Sequence, residues 1–308
     1  MLIFALMSIS AQISHAPLRL IGRMPLKAHY ANARFLAWLI GDVIRYRRDV
    51  VSFNLARCFP EKTTRELKEL RKEAYRHFAD IVVESFWFGA CRDPRRLHDA
   101  RIVEIANPEV ISALFESSPS VAVLYSHCGN WELYGGIESY NYSGNPMPIT
   151  EQNFSVVYKR TNSKTTDEVL RMNRFAPLKD RDGYNGYVET RDLIRYAFTH
   201  KAEKRIYNIN TDQRPYQDSG ANIPVRFLGQ NTQTMTGAAA IARKFGMAVC
   251  YLRMERKERG HYIMEYVPIC ANAAEFSVEA IMTRYYELLE DDIRKDPANY
   301  LWTHKRFK

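Results

Sequence analysis

The chain has 308 residues, of which 46% are hydrophobic and 26% charged, and this balance excludes a disordered or a fibrous protein. Its 44 Lys and Arg residues outnumber its 35 Asp and Glu residues, so the net charge of +9 favours an acidic partner: nucleic acid, an anionic lipid surface or an acidic protein. No window holds about 18 strongly apolar residues in a row, which excludes a polytopic membrane protein.

The amino terminus has the composition of a membrane-surface segment. Residues 1–18 contain no Asp, Glu, Lys or Arg, and as a helix they would be about 27 Å long, with Pro17 expected to end it. A second apolar patch, residues 35–40, precedes the basic run at 45–48. We therefore expect residues 1–44 to form a membrane-anchoring or interfacial helical segment. The alternative is an ordinary core helix with a solvated basic end.

The five cysteines give no sign of a disulfide framework or a structural zinc site. They are odd in number, scattered along the chain, and include no Cys-x-x-Cys pair: Cys58, Cys91, Cys128, Cys250 and Cys270. This usage fits a reducing compartment.

Helical and strand patterns alternate after the amino-terminal third. Residues 63–88 read as a helix, with a capping box from Thr63 to Glu66 and Gly89 as its end. Strands are predicted at 121–125, 154–158, 205–210, 247–253 and 261–267, and helices at 162–175, 188–200, 235–245 and 277–294. This order predicts an α/β fold whose central, mostly buried sheet is flanked by helices and preceded by an α-helical amino-terminal third, with 45–308 as one domain.

The candidate chemistry lies where the first predicted strand turns into a helix. His127 is a natural general base there, and Glu132, five residues later, could accept a proton from the other imidazole nitrogen. Gly129 could aim a backbone N–H at a developing oxyanion. A satisfied core histidine is the alternative. Cys128 should point away from its neighbour, so a Cys–His nucleophile pair is not expected.

Other chemistries lack their motifs. The sequence has no nucleophile elbow, no phosphate-binding loop and no dinucleotide fingerprint. No metal-ligand spacing occurs, and the basic residues lack the interleaved aromatics of a nucleic-acid reader. We therefore expect no metal, no cofactor and no nucleic-acid partner.

Four cations near the predicted strand at 154–158 form a candidate clamp: Lys159, Arg160, Lys164 and Arg171. They would hold an anionic head group or an acidic carrier protein near His127. The alternative is a solvated basic face.

The segment from His127 to Glu132, with its Asn-Trp-Glu end, resembles the signature of the bacterial lipid A biosynthesis acyltransferases, in their lauroyl/myristoyl branch. The resemblance runs in order from residue 45 to 308. Its further blocks are Arg47-Arg48 with Asn54-Leu55 and Phe59-Pro60-Glu61, Tyr158-Lys159 with Asn162, Asp212-Gln213, Phe227-Leu228-Gly229, Thr236-Gly237, and the terminal Tyr300 to Lys308.

The resemblance implies a glycerolipid-acyltransferase-like fold on the cytoplasmic face of the inner membrane. It also implies an acyl–acyl carrier protein donor and a lipid hydroxyl as acceptor. The resemblance further implies that His127 is the general base with Glu132 as its partner, and that Asn130, Asp212 and Gln213 bind substrate.

Two departures leave the acceptor open. Lys159 stands where the family usually has Arg, and Cys128 replaces a commoner aromatic or aliphatic residue. A lipid A precursor is the expected acceptor, with a glycerophospholipid or an amino-acid-containing lipid as the alternative. A non-catalytic membrane-surface binding protein is the other class.

Overall fold

The amino-terminal third is helical, as the sequence predicts. The structure, a computed structural model, describes residues 9–181, 183–215 and 222–307. Its helices begin with α1 (Ile9–Gly22), α2 (Leu26–Trp38), α3 (Arg48–Cys58) and α4 (Thr64–Gly89). A turn of π-helix, Leu39–Val43, continues α2. Because α4 packs against α1, α2 and α3, it is the central support of this layer.

Helix α4 has the ends that its sequence predicts. The Thr63 backbone N–H donates to Glu66 Oε2 over 2.7 Å, and the Glu66 N–H donates back to Thr63 Oγ1 over 3.3 Å. Gly89 is its last helical residue and lies so close to Asn173 that a Cβ would overlap the Asn173 amide. The capping box and the glycine therefore fix the start and the end of α4.

The expectation that Pro17 ends the first helix is wrong, because α1 continues to Gly22. Pro17 lies on the exposed face of α1, as does Ile13, whose side chain is 67% exposed. Proline has no backbone N–H, so Pro17 cannot donate to the Ile13 carbonyl. This carbonyl is on the side of the helix that is open to solvent. Residues 1–8 of the apolar segment lie outside the described residues. Among the described helices, none has the length and hydropathy needed to cross a bilayer.

A mostly parallel sheet forms the centre of the molecule. Its strands are β1 (Val103–Ile105), β2 (Val121–Tyr125), β3 (Phe154–Tyr158), β4 (Tyr187–Glu189), β5 (Ile206–Asn210), β8 (Ala248–Glu258) and β9 (His261–Cys270). Within the described ranges the strand order is β1-β9-β8-β2-β5-β3-β4, and only β8 and β9 pair antiparallel. A separate hairpin joins β6 (Asn222–Phe227) to β7 (Gln230–Met235).

Helices cover both faces of this sheet. They are α5 (Pro94–Ala100), α6 (Pro108–Ser117), α7 (Lys164–Arg174), α8 (Leu193–Thr199), α9 (Gly237–Lys244) and α10 (Val278–Lys295). Alternate residues of β2 enter two different cores: Ala122 and Leu124 pack with α9 and α10, whereas Val121 and Val123 pack with α6. The predicted α/β fold with a buried central sheet is confirmed.

The sequence predictions fail mainly at the sheet edge and in the hairpin. The helix expected at 188–200 begins as strand β4, because residues 187–189 pair in parallel with β3, and helix α8 starts only at Leu193. The hairpin of β6 and β7 was not predicted, since β7 (Gln230–Met235) is almost entirely polar. In both places strand pairing, rather than an apolar pattern, decides the structure.

Candidate active site

The loop that follows β2 carries His127 and is braced by the carboxyl-terminal segment. The backbone N–H of Leu301 donates to the His127 carbonyl over 3.1 Å, and the Gly129 N–H donates to the Asn299 carbonyl over 3.0 Å. Because the Gly129 N–H already has this partner, the expectation that it serves an oxyanion is wrong. Asn299 and the terminal block that begins at Tyr300 therefore hold the loop of His127 in place.

Gly129 is required by the path of this loop. Its φ of +65° lies in the left-handed region, and a Cβ would come within 2.5 Å of the Met254 side chain. Any other residue would strain the loop directly beside His127.

His127 is paired with Asp212, which follows the carboxyl end of β5. The imidazole Nδ1 lies 2.8 Å from Asp212 Oδ1, and the His127 backbone N–H donates to Asp212 Oδ2 over 3.2 Å. Because an ionised carboxylate only accepts, Nδ1 carries the ring proton and Nε2 keeps its lone pair. Burial would raise the pKa of Asp212, but the His127 charge and these hydrogen bonds hold it below its ordinary value. This is the arrangement of a general base with its orienting carboxylate.

Two amide side chains face the free nitrogen of His127. Gln213 Nε2 lies 3.3 Å and Asn210 Nδ2 lies 3.5 Å from His127 Nε2, and the Trp131 ring stands edge-on, its centroid 4.8 Å from that of the imidazole. Gln213 was expected in the site, whereas Asn210 was missed. The signal for Asn210 was its place at the carboxyl end of a predicted parallel strand.

Glu132 does not bind His127, so the expected pairing between them is wrong. Its two oxygens each accept a hydrogen bond of 2.7 Å from the Arg174 guanidinium, and Oε1 also accepts from Trp131 Nε1 over 3.0 Å. Burial would raise the pKa of Glu132, yet the Arg174 charge and hydrogen bonds outweigh it and lower that pKa. Arg174, a further residue that sequence reasoning missed, thus fixes Glu132 beside the site.

Asn130 lies inside the protein and does not contact the cavity, so its expected role in substrate binding is wrong. Its side chain is fully buried, with Nδ2 donating to Glu84 Oε2 over 2.8 Å and Oδ1 accepting the Glu132 N–H over 3.2 Å. Asp212 is likewise a partner of His127 rather than a substrate contact.

A cavity of about 480 Å³ opens at the carboxyl edge of the sheet, with His127 in its wall. Most of its other wall residues are apolar or aromatic. They include Tyr125, Trp131, Tyr134, Val156, Phe175, Leu193, Ile209, Met235 and Ile241. Lys159 and Arg174 contribute positive charge to the wall. A long apolar group with a polar reacting end fits this lining.

The four predicted clamp cations separate in the structure. Lys159 lines the cavity, whereas Arg160 lies 3.4 Å from Glu189 and Lys164 lies 3.9 Å from Glu168. Arg171 lies over the Tyr187 ring, 5.8 Å from its centroid. Lys159 is therefore the one of these four described cations that reaches the cavity.

Two further titratable groups near His127 favour a neutral state. Cys128 is buried, and burial raises the pKa of its thiol well above the ordinary value, so it is a poor nucleophile. Burial lowers the pKa of His304 to about 4, although the Asp212 charge opposes the shift. The His304 backbone carbonyl accepts from Asn54 Nδ2 over 2.8 Å, which links helix α3 to the terminal block.

A search among individually characterised proteins returns no significant match to the chain. The family model described as bacterial lipid A biosynthesis acyltransferase matches residues 6–308. With His127 oriented by a carboxylate at an apolar cavity, and with this match along its length, the chain belongs to the bacterial lipid A biosynthesis acyltransferase family.

Proposed function

We propose that this acyltransferase moves a fatty acyl chain from acyl carrier protein to a hydroxyl of a lipid A precursor, with His127 as general base and Asp212 as its partner. The observation that supports this most directly is the 2.8 Å contact of His127 Nδ1 with Asp212, which leaves Nε2 at the wall of an apolar cavity.

The reaction follows from this geometry. The acceptor hydroxyl gives its proton to His127 Nε2 as its oxygen attacks the thioester carbonyl carbon, and Asp212 stabilises the imidazolium. The tetrahedral oxyanion then re-forms the carbonyl and the C–S bond breaks. The departing thiolate takes the proton from His127, which returns to its neutral state.

The amides of Gln213 and Asn210 are the proposed oxyanion donors. Both lie within 3.5 Å of His127 Nε2, the atom that receives the proton of the attacking hydroxyl. Because these donors are held before substrate arrives, they stabilise the developing charge with little reorganisation.

The cavity is the proposed site of the acyl chain. Each methylene buried against its apolar wall contributes about 0.8 kcal/mol, so a chain that fills it binds far more tightly than a short one. The Lys159 side chain, at the same wall, suits an anionic group of the acceptor, whereas the charge of Arg174 is already paired with Glu132.

We also propose that the amino-terminal helices lie on an anionic membrane surface. Large apolar side chains are exposed along α1, α2 and the turn after it: Ile13, Leu20, Phe35, Trp38, Val43 and Ile44. Arg19 lies on α1, and burial and then the charges of Arg19, Arg181 and Arg23 lower the pKa of Arg92, which indicates crowded positive charge at this end of α1. Apolar side chains bordered by arginine suit the interface of acyl chains and anionic head groups. The cytoplasmic face of the inner membrane is the proposed location.

The experiment is an acyl-transfer assay with purified protein, acyl–acyl carrier protein and a lipid A precursor, read by mass spectrometry. We expect the acceptor to gain the mass of one acyl chain. The His127→Ala variant should be slower by about 10²–10⁴-fold. His261→Ala is the matched control, because His261 pairs with Glu104 on β1 and does not line the cavity.

The same assay separates the alternatives. Transfer to a glycerophospholipid or an amino-acid-containing lipid, but not to the lipid A precursor, would contradict the proposed acceptor. Folded wild-type protein that binds vesicles and transfers to no acceptor would instead support a non-catalytic role.

A further inference from the structure

A buried carboxylate behind the catalytic loop joins three parts of the fold. Glu84, in the last two turns of α4, is fully buried. Its Oε2 accepts from Asn130 Nδ2 over 2.8 Å and from the Tyr262 hydroxyl of β9 over 2.9 Å, and its Oε1 accepts from the Tyr30 hydroxyl of α2 over 2.8 Å. The carboxylate is thus fully occupied by donors, and one of these belongs to the loop that carries His127.

Glu84 decides which way the Asn130 amide faces. Asn130 Oδ1 accepts a hydrogen bond from the Glu132 backbone N–H, so the Asn130 Nδ2 faces Glu84. This orientation requires a hydrogen-bond acceptor at Glu84. A turned amide would place Nδ2 against the Glu132 N–H, donor against donor. The bond to Glu84 therefore maintains the start of the 3-10 helix Trp131–Ser139, and with it Trp131 against His127 and Glu132 against Arg174.

The amino-terminal helices contribute to the same network. The Tyr30 ring lies under the Arg259 guanidinium, 4.5 Å from ring centroid to Cζ, and Arg259 donates to Asp80, one turn before Glu84 on α4. Tyr30 is thus fixed at its ring and at its hydroxyl. Helix α2, which exposes Phe35 and Trp38, is in this way linked to the catalytic loop through one carboxylate.

We propose that Glu84 is a positioning residue for acyl transfer, which holds Asn130 so that the loop from Ser126 to Glu132 keeps its reactive geometry. The inference rests on the proposed function, because it assigns Glu84 an effect on the acyl-transfer step. The Glu84–Asn130 hydrogen bond needs one donor and one acceptor. Activity should therefore survive when the two residues exchange these roles.

Exchanging the amide and the carboxylate tests this prediction. Asn130→Asp keeps the oxygen that accepts the Glu132 N–H but removes the donor that faces Glu84. Above about pH 8, where Glu84 is ionised, we expect kcat to fall at least about tenfold with little change in KM for the donor. In the double variant Glu84→Gln/Asn130→Asp the glutamine amide donates to the new carboxylate. We expect kcat to return to within about threefold of wild type.

Two further variants separate positioning from simple support of the fold. Glu84→Gln alone leaves an oxygen for Asn130 while its amide donates to the Tyr30 hydroxyl, so it should lose less than about threefold in kcat. Tyr262→Phe removes a different donor from the same carboxylate and should lower Tm with a similarly small change in kcat. All rates are compared at equal folded fraction, measured by circular dichroism.

The outcomes are distinct. An active wild type whose Asn130→Asp variant keeps its kcat, or whose double variant is no faster than Asn130→Asp, overturns the positioning role alone. A folded wild type that transfers no acyl chain to any acceptor overturns the proposed function, and the positioning role with it.

Discussion

The loop that carries His127 and the amino-terminal helices depart from the usual distribution of side chains in different ways: the loop buries polar groups, and the helices expose apolar ones. In and behind the loop, polar groups such as Asn130, Asp212 and Glu84 are buried, whereas on α1 and α2 large apolar groups such as Leu20 and Phe35 are exposed. Soluble proteins ordinarily bury the apolar groups and expose the charged ones.

The difference indicates whether the side chains of each region find their interaction partners inside or outside the chain. Each of these three buried polar side chains has hydrogen-bond partners inside the chain. The exposed apolar groups of α1 and α2 gain a comparable stabilisation only from something outside the chain, and a lipid surface is the proposed partner.

The largest expected effect comes from the internal partner of His127. In Asp212→Asn, the His127 backbone N–H requires the amide oxygen, so the amide nitrogen faces Nδ1 and forces the ring proton onto Nε2. The base then has the wrong tautomer, and we expect kcat to fall by about 10²–10⁴-fold with Tm little changed. Rates of acyl transfer and thermal unfolding curves measure both.

Glu132→Gln is the matched comparison, because it removes a carboxylate of the same site that does not touch the imidazole. It leaves the Arg174 charge without its counterion, so we expect a loss of stability of about 1–3 kcal/mol beside a smaller loss of kcat. If Glu132→Gln costs more activity than Asp212→Asn at equal folded fraction, Asp212 is not the partner of the base.

A second effect concerns stability against pH. Burial raises the pKa of Glu84 to about 7, with Asp80 adding to the shift and hydrogen bonds from Asn130, Tyr30 and Tyr262 opposing it. Because the folded state holds this proton more tightly than the unfolded state, its contribution is complete below about pH 4.5 and is lost as the pH rises through about 7. The loss amounts to about 3 kcal/mol, because a difference of one pKa unit corresponds to about 1.4 kcal/mol.

Urea unfolding at pH 5 and pH 8 measures this loss, with Glu84→Gln as the control that cannot titrate. We expect the difference between wild type and Glu84→Gln to change across this range in favour of wild type at pH 5. Parallel pH profiles for the two proteins would contradict it.

A third effect tests the exposed apolar region. Phe35 and Phe198 are 61% and 58% exposed, but Phe35 lies on α2 and Phe198 on α8. We expect Phe35→Ser to weaken binding to anionic vesicles about fivefold, since part of an aromatic side chain no longer enters the interface. Phe198→Ser should leave vesicle binding unchanged, and equal losses in both variants would place the membrane contact elsewhere.

The smallest effect is expected at Lys159 in the cavity wall. Lys159→Ala should raise KM for an anionic acceptor by a few-fold with kcat little changed, because a single partly solvated charge contributes about 1 kcal/mol. Lys164→Ala is the surface control, since that side chain is 82% exposed beside Glu168. If Lys164→Ala raises KM more than Lys159→Ala does, the anionic acceptor binds outside the cavity.

The sequence was informative where local rules decide the structure. The capping box at Thr63, the glycine at 89 and the apolar run at 121–125 each predicted an element that the structure contains. His127 was found because it directly follows a predicted buried strand, at the sheet edge where α/β proteins bind their ligands.

The sequence could not identify the partner of His127. Glu132 is near it along the chain, but Asp212 lies 85 residues away and reaches it only because β2 and β5 are parallel neighbours with Tyr125 opposite Asn210. The pairing of Glu84 with Asn130 has the same origin. Contacts between strands and helices that are distant in sequence depend on the order of strands in the sheet, which no local pattern contains.

The brace formed by Asn299 and Leu301 has a consequence for the order in which the protein is made. Helices α1 and α2 leave the ribosome first, whereas the residues that hold His127 and Gly129 emerge roughly 10–50 s later at ordinary rates of translation. During that interval a nascent chain can already carry the helices proposed to face lipid while its active-site loop still lacks its final support. Recruitment to a surface can therefore precede the onset of acyl transfer.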